Sequence, residues 1–146
     1  MASALGDLTG LMTLRDQVVI DGSVDAFFTT QYGKPAVHLV GFKKAFNAND
    51  YPFVCYVPNE AVRGKLGGDV EFISIVQGVY DPVVSAGVSQ GIASLARASA
   101  LVFDAINAAW ATSGTVFLGT VKEANDFGVA HPIYHKEMQV PLKVRR

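Results

Sequence analysis

The chain has 146 residues, of which half are hydrophobic and only 17% are charged, and its formal net charge is −1. This length predicts one ordinary domain with a core of its own, and the near-neutral charge excludes the broad basic surface of nucleic-acid-binding proteins. The apolar runs end well short of the roughly 20 residues that cross a bilayer, so we expect no membrane partner. The low charge instead favours an oligomer that covers apolar surface between subunits.

Residues 1–10 are small and polar, and we interpret them as a flexible leader before a single domain over residues 11–146. They lack the basic start and apolar stretch of a signal peptide, which predicts synthesis in the cytoplasm. The one cysteine, Cys55, excludes an internal disulfide and lies within a strand pattern, as a structural thiol would. The basic residues 143–146 form too small a patch for nucleic acid, and we interpret them as a solvated tail.

An apolar stripe at helical spacing predicts a helix over residues 11–32. Near its start, Thr13 and Asp16 resemble a capping box. The Asp21-Gly22 pair leaves two interpretations open. The helix is kinked or split at this pair, or the pair forms a hairpin turn between two strands.

Three β-rich segments follow this helix. Residues 36–42 and 51–57 predict two strands joined by a turn rich in Asn and Asp. Residues 69–79 predict a longer third strand, because they are rich in β-branched and aromatic side chains. Residues 58–68 are polar, charged and glycine-rich, which indicates a long exposed loop or a hairpin tip.

The second half of the chain begins with apolar residues that step by three and four, which predicts a long helix over residues 83–110. Arg97 and Asp104 are the only charged residues from Val83 to Val121, so we expect this helix to be covered on both sides. The two charges lie two helical turns apart on one face. Either they keep an outer face soluble, or each meets an opposite charge on a neighbouring subunit.

Residues 115–121 and 132–144 predict the last two strands, joined by a polar connection over residues 122–131. Two prolines mark the final strand as an edge or terminal strand. Consecutive strands with short polar loops favour antiparallel pairing, with the helices on one face. The predicted fold class is therefore α+β: a mostly antiparallel sheet with two helices packed on one face, in the order α-β-β-β-α-β-β.

One catalytic motif is present. Residues 87–91 match G-x-S-x-G, the nucleophile elbow of α/β-hydrolases. The acid and base of a triad could come from Asp104 or Asp126 and from His131 or His135. Because several residues separate the third strand from Ser89, we expect a closely packed helix start instead. A small serine hydrolase that uses Ser89 is kept as the alternative.

The remaining candidates for chemistry are weaker. His131 and His135 lie in a strand pattern, where residues four apart are separated by about 13 Å, so they do not predict a metal site. We interpret His38, in an apolar strand, as a hydrogen-bonded sheet residue. Residues 63–68 lack the spacing of a phosphate-binding loop. The sequence therefore predicts no catalytic, cofactor or metal site.

The order and size of these elements resemble the tail terminator, or tail completion, proteins of long-tailed bacteriophages. The resemblance covers nearly the whole chain from about Leu11. It is carried by the first helix, a strand that opens Tyr51-Pro52-Phe53-Val54, the loop at 58–68, the strand at 70–79, the helix at 83–110 and the closing strands at 115–121 and 132–144.

This resemblance implies a structural virion protein of the tail or neck, without enzymatic activity or cofactor. It implies a homohexameric ring that caps the tail tube protein and meets the head-side connector or stopper protein, with DNA passing through the channel without sequence-specific binding. A connector or stopper ring of similar size is the alternative.

On this basis the helix at 83–110 or a sheet edge packs between subunits. The hypothetical subunit-interface residues are Arg97, Asp104 and Trp110. The loops at 44–50, 58–68 and 122–130 face the tube or the connector. Their hypothetical contact residues are Asn47, Asn49, Asp50, Glu60, Arg63, Lys65, Asp126 and Phe127.

Overall fold

The computed structural model describes residues 8–41, 48–63, 68–108, 115–126 and 131–145. Within these ranges the helices are α1 (Thr9–Asp21), α2 (Ser23–Tyr32) and α3 (Gln90–Asn107), with a short 3-10 turn at Ala48–Asp50. The strands are β1 (Val37–Val40), β2 (Phe53–Arg63), β3 (Gly68–Tyr80), β4 (Val84–Ser85), β5 (Val88–Ser89), β6 (Thr115–Phe117), β7 (Lys122–Asp126) and β8 (Ile133–Arg145).

The main sheet has six strands in the order β1-β2-β3-β8-β6, and β7 also pairs with β8. β2, β3 and β8 are long and antiparallel, and their registers pair Phe53 with Gly78 and Gly78 with His135. β4 and β5 form a separate two-stranded hairpin. The α+β class and the mostly antiparallel sheet are therefore confirmed.

The helices cover one face of this sheet. Alternate residues of the three long strands point towards the helices and form one apolar cluster with them, as the two-residue period of a strand requires. The buried members from the strands are Val54, Tyr56, Ile73, Ile75, Val79, Met138, Val140 and Leu142, and those from the helices include Leu14, Val18, Phe28, Leu95, Val102 and Ile106. A smaller buried cluster on the opposite face contains Tyr51, Phe53, Cys55 and Val76.

The first predicted helix is two helices. α1 ends at Asp21, Gly22 takes the left-handed conformation with φ 74°, and α2 begins at Ser23. Because glycine adopts this conformation without a steric penalty, Gly22 serves both as the end of one helix and as the start of the next. The split interpretation is thus the observed one. The predicted start was wrong, because α1 begins at Thr9, so Thr13 lies inside the helix and forms no capping box.

The predicted loop at 58–68 is largely strand. β2 continues to Arg63 and β3 begins at Gly68, so Glu60 and Arg63 are paired strand residues. A register shift between Pro58 and Glu60 accommodates the proline, since a bulge frees a residue from the ladder. The hairpin interpretation therefore agrees better with the structure than the loop interpretation does. Lys65 lies outside the described residues.

β1 pairs with β2 in parallel, contrary to the antiparallel expectation. Twelve residues, 41–52, separate the two strands, and a connection of about a dozen residues is long enough to bring the chain back to the same end of the sheet. The backbone N–H of Val37 donates to the Pro52 carbonyl at 3.1 Å, where this connection returns.

β8 is an interior strand, so the expectation of an edge strand was wrong. It pairs with β3 on one side and with β6 and β7 on the other. Pro132 precedes the strand, and Pro141 lies opposite the interval between Phe117 of β6 and Lys122 of β7. A proline is tolerated there because the ladder is already interrupted. The predicted polar connection at 122–131 contains β7, whose five residues are all exposed.

Candidate assembly surfaces

The described residues of the chain cover the helix α3 on one face. Its inner face is buried, whereas Arg97 and Asp104 are both exposed on the outer side together with small residues. The exposed small residues are Ala93, Ala96 and Ala100. The Arg97 and Asp104 side chains make no hydrogen bond or ion pair in the described part of the chain. The second covering that we predicted is therefore not supplied by the described residues, and Trp110 lies outside them.

A short hairpin precedes α3 where the sequence predicted helix. β4 and β5 pair Val84 with Ser89 and Ser85 with Val88, and the turn residues Ala86 and Gly87 have φ values of 52° and 77°. Two successive positive φ values are typical of a type I′ hairpin turn. The signal in the sequence was a Gly flanked by two alternating Val-Ser pairs, which fits a two-residue hairpin.

This hairpin carries an apolar surface, here called the hairpin surface, that consists of Val83, Val84, Val88 and Ile92. Each of these side chains is more than half exposed. No charged residue occurs between Asp81 and Arg97, so no charged side chain from this stretch interrupts the surface. Exposed apolar groups concentrated in this way are typical of a protein–protein contact.

Asp81 fixes the hairpin to the body of the protein. Its carboxylate accepts hydrogen bonds from the Val83 backbone N–H at 3.0 Å and from the Tyr32 hydroxyl at 2.8 Å. Its backbone N–H donates to the Pro132 carbonyl at 2.8 Å. Burial raises the pKa of the Tyr32 hydroxyl, which keeps this group a donor. The hairpin surface is therefore held in place by α2 and the start of β8.

We expect Ala86→Gly to stabilise the protein slightly, by about 0.5 kcal/mol. A left-handed alanine costs about 1 kcal/mol relative to glycine, and the extra freedom of glycine in the unfolded chain offsets part of this gain. Gly87→Ala is the matched opposite change and should destabilise by about 1 kcal/mol, because nothing obstructs its Cβ but its φ is positive. Thermal unfolding of both variants tests this, and a loss of stability in Ala86→Gly would contradict it.

The residues predicted to face the tube or connector lie at two ends of the sheet. Asn49 and Asp50 precede β2 and Asp126 ends β7 at one end, whereas Glu60 and Arg63 lie at the other. Asn47 and Phe127 lie outside the described residues, as Lys65 does. These residues therefore do not form one continuous surface.

The end of β2 and the start of β3, residues 60–63 and 69–72, form a two-stranded arm. An ion pair joins its two strands. Arg63 Nη1 donates to Asp69 Oδ2 at 2.9 Å, and the Asp69 side chain is almost fully buried. Burial also raises the pKa of the neighbouring Glu71 carboxyl, and the Arg63 charge opposes this shift. An open groove of about 200 Å³ lies between this arm and the start of α1 at Leu8 and Leu11. The arrangement stiffens the arm and leaves its outer side exposed.

At the opposite end, a buried histidine joins three parts of the chain. His135 Nε2 lies 2.9 Å from the Tyr51 hydroxyl, and its Nδ1 lies 3.9 Å from Asp126 Oδ2. The edge of its ring packs against Phe53 with the centroids 5.3 Å apart. Burial lowers the pKa of His135, and the Asp126 carboxylate opposes this shift. The neutral ring is therefore the form that this packing favours.

We expect His135 to make the protein less stable in mild acid. The unfolded chain has the ordinary histidine pKa of about 6.5, so below this pH the unfolded state binds more protons than the folded state. The contribution of His135 is then complete above about pH 6.5 and decreases as the pH falls towards the lower folded pKa. Denaturant unfolding at about pH 7 and pH 5 should show a loss that His135→Gln reduces, each unit of lowered pKa being worth about 1.4 kcal/mol.

Asp126→Asn is the control for this pH dependence. Because the Asp126 carboxylate favours the charged ring, its removal should make the loss of stability in acid larger. Equal acid sensitivity in wild type and His135→Gln would contradict the assignment.

Ser89 is not arranged as the nucleophile of an elbow in the described residues. Its backbone is extended, with φ −70° and ψ 116°, and it precedes α3. The three histidines of the chain make their hydrogen bonds elsewhere: His38 with Asp25 and Tyr56, His131 with Tyr134, and His135 with Tyr51. A Cβ at Gly91 would overlap the Tyr134 ring. This glycine therefore allows α3 to pack closely against β8.

The described ranges hold no group of three or more His, Cys, Asp or Glu side chains that could bind a metal ion. No helix there is both long enough and apolar enough to cross a membrane.

Comparison with solved structures gives an informative match. No protein-family model and no curated protein sequence matches the chain. Among solved structures, it is similar to a chain of the structure titled "Virion of native gene transfer agent (GTA) particle". The two are 15% identical, the match covers 92% of each chain, and the TM-score is 0.51. At this identity the likeness establishes a shared fold across nearly the whole chain.

Proposed function

We propose that this chain is a structural virion protein of a bacteriophage or phage-like particle, and that it acts as a tail terminator. The observation that carries the proposal is the fold shared with a chain of a gene transfer agent virion over 92% of both chains. The element order from α1 to β8 supports it, since it resembles the tail terminator family. In this role the chain forms a homohexameric ring that caps the tail tube and meets the head-side connector.

The exposed surfaces support an assembling protein without enzymatic activity. The hairpin surface is apolar and the outer side of α3 carries several small residues, and exposed surfaces of this kind are typical of contacts with another protein. Arg97, Asp104 and Trp110 remain our proposed subunit-interface residues. With a net charge of −1, the ring would let DNA pass through its channel without sequence-specific binding.

A head–tail connector or stopper ring is the second candidate. The matched structure is a whole virion, and the same surfaces suit either position in the neck. The two ends of the sheet, with Asn49, Asp50 and Asp126 at one and Glu60 and Arg63 at the other, are our proposed contacts with the tube and the connector. A terminator should bind isolated tail tubes, whereas a connector should bind heads that lack tails.

Solution mass by light scattering, over a dilution series with and without tail tubes, tests the proposal. We expect a mass near six chains, or a monomer that forms a ring at high concentration or on addition of tubes. A mass of one chain at every concentration, even with tubes present, would contradict the proposal. Binding to tailless heads but not to tubes would favour the connector.

Ser89→Ala tests the hydrolase alternative. We expect this variant to keep the wild-type mass and tube binding, because the Ser89 hydroxyl makes no hydrogen bond that caps α3. We also expect wild type to show no turnover of esterase substrates. Turnover in wild type that Ser89→Ala abolishes would establish the hydrolase instead.

A further inference from the structure

We propose that the hairpin surface of one copy docks on the corner between α1 and α2 of the next copy. This corner, here called the helix corner, consists of Val19, Ile20 and Asp21. The inference rests on the proposed ring and names the two different surfaces that would join its subunits.

The two surfaces are matched in their apolar character. Ile20 is 82% exposed and Val19 is 42% exposed, although both lie in a helix whose other side is buried in the core. On the hairpin surface, Val84 and Val88 are 54% and 55% exposed. A monomer would leave both groups in water, whereas contact between copies removes both at once.

The two surfaces lie at opposite ends of the helical layer. Gln17 Nε2 lies 3.5 Å from the Ala105 carbonyl, which places the end of α1 beside the C-terminal part of α3. The hairpin joins the other end of α3, where the Gln90 N–H donates to the Val83 carbonyl at 2.9 Å. The 18 residues of α3 separate these ends by about 27 Å. Contact between two different surfaces joins the copies head-to-tail and can repeat from copy to copy. The copies form a ring when the rotation between neighbours brings the last copy into contact with the first.

The charges beside the two surfaces are opposite in sign. Arg97 is exposed on the outer side of α3, about 7.5 Å along the axis and about 140° around it from Ile92, and it has no ion pair within the described ranges. The helix corner presents the exposed Asp21 carboxylate, which accepts one hydrogen bond from the Ser23 N–H at 3.1 Å and has further lone pairs. The nearby Arg15 is already paired with Asp16 at 2.8 Å. Arg97 of one copy therefore pairs with Asp21 of the next.

Mixing two assembly-defective variants tests the head-to-tail contact. We expect the double variant Val84→Asp, Val88→Asp and the single variant Ile20→Asp each to have the mass of one chain by sedimentation. Each keeps one intact surface, so their equimolar mixture should form a dimer of one copy of each. Val62→Asp is the matched control, because Val62 is 56% exposed on β2, and it should assemble as wild type does. Full assembly by the hairpin variant, or a mixture that stays monomeric, would overturn the inference.

Charge exchange tests the pairing of Arg97 with Asp21. Arg97→Asp should weaken self-association about tenfold or more, and adding Asp21→Arg should restore most of it. The restored variant separates the pairing from a general effect on folding, which thermal unfolding of each variant checks. Failure of the second change to restore association would contradict the pairing.

The outcomes separate this inference from the proposed function. If wild type forms a ring that binds tail tubes and the hairpin variant does the same, the docking surfaces are wrong and the function stands. If assembly requires the hairpin but the ring binds neither tubes nor heads, the docking stands and the function is wrong. A wild-type chain that never self-associates contradicts both.

Discussion

Gly78→Ala is expected to destabilise the protein by about 3 kcal/mol, the upper end of what overpacking costs, and to lower Tm by about 10 °C. Gly78 lies in β3 directly opposite Phe53 of β2, and a Cβ at this position would overlap the Phe53 ring. The ring cannot move aside easily. It is fully buried and packs against Tyr51 and His135 with centroid distances of 5.2 and 5.3 Å.

Gly91→Ala is the matched control for this prediction. Its Cβ would overlap the Tyr134 ring, but Tyr134 is only partly buried and can shift, so we expect a smaller loss. Phe53→Leu removes the overlapping ring, and combined with Gly78→Ala it should lose about 1 kcal/mol less than the sum of the two single changes. Strict additivity in denaturant unfolding would contradict the close packing of ring and glycine.

Much of the fold follows from hydrophobic periodicity alone. The long apolar runs in β2 and β3 and the three-and-four spacing in α3 favour a sheet with helices on one face. The break at Gly22 was also visible, because an Asp-Gly pair interrupts the apolar stripe. These signals are local, and the tertiary structure agrees with them.

The errors occurred where long-range pairing decides the conformation. Residues 59–63 are exposed and include Asn59, Glu60 and Arg63, so their sequence resembles a loop, yet pairing with β3 holds them in a strand. Residues 83–89 fit the helical spacing of α3, yet the hydrogen bonds of Asp81 and the turn at Ala86 hold them in a hairpin. Local propensity is overridden in both cases by partners distant in sequence.

The candidate surfaces were predictable only in part. The sparse charge around Arg97 and Asp104 led us to expect a helix covered on both sides, but periodicity cannot show whether a second covering comes from the same chain. The hairpin surface was missed because residues 83–89 were assigned to a longer helix, with Val88 and Ile92 in its apolar stripe. A stripe that continues past the start of a helix can therefore mark an exposed contact surface instead of the core.

His38→Ala is expected to destabilise the protein by about 3 kcal/mol, because it leaves two polar groups without their partner. His38 Nε2 lies 2.8 and 3.0 Å from the two oxygens of Asp25, and its Nδ1 lies 2.8 Å from the Tyr56 hydroxyl. Since a carboxylate only accepts, Nε2 donates to Asp25, and in the neutral ring Nδ1 accepts from Tyr56. Burial raises the pKa of Tyr56, so its hydroxyl keeps its proton as the donor.

Two further variants, Tyr56→Phe and His131→Ala, test this prediction. Tyr56→Phe removes only the hydroxyl and should cost about 1 kcal/mol, and with His38→Ala the combined loss should be smaller than the sum, because both changes remove the same hydrogen bond. His131→Ala is the matched control, since His131 is exposed and bonds only locally to Tyr134, and it should lie within about 0.5 kcal/mol of wild type.

The loss in His38→Ala should also be localised. β1 has four residues and, among the described strands, pairs with β2 alone, so the hydrogen bonds from His38 to Asp25 of α2 give this short strand a polar link to the helical layer. Amide hydrogen exchange in His38→Ala should therefore accelerate most in β1 and in the first turns of α2, and least in β3 and β8. Uniform acceleration across the sheet would show instead that His38 supports the whole core, and that β1 does not open separately.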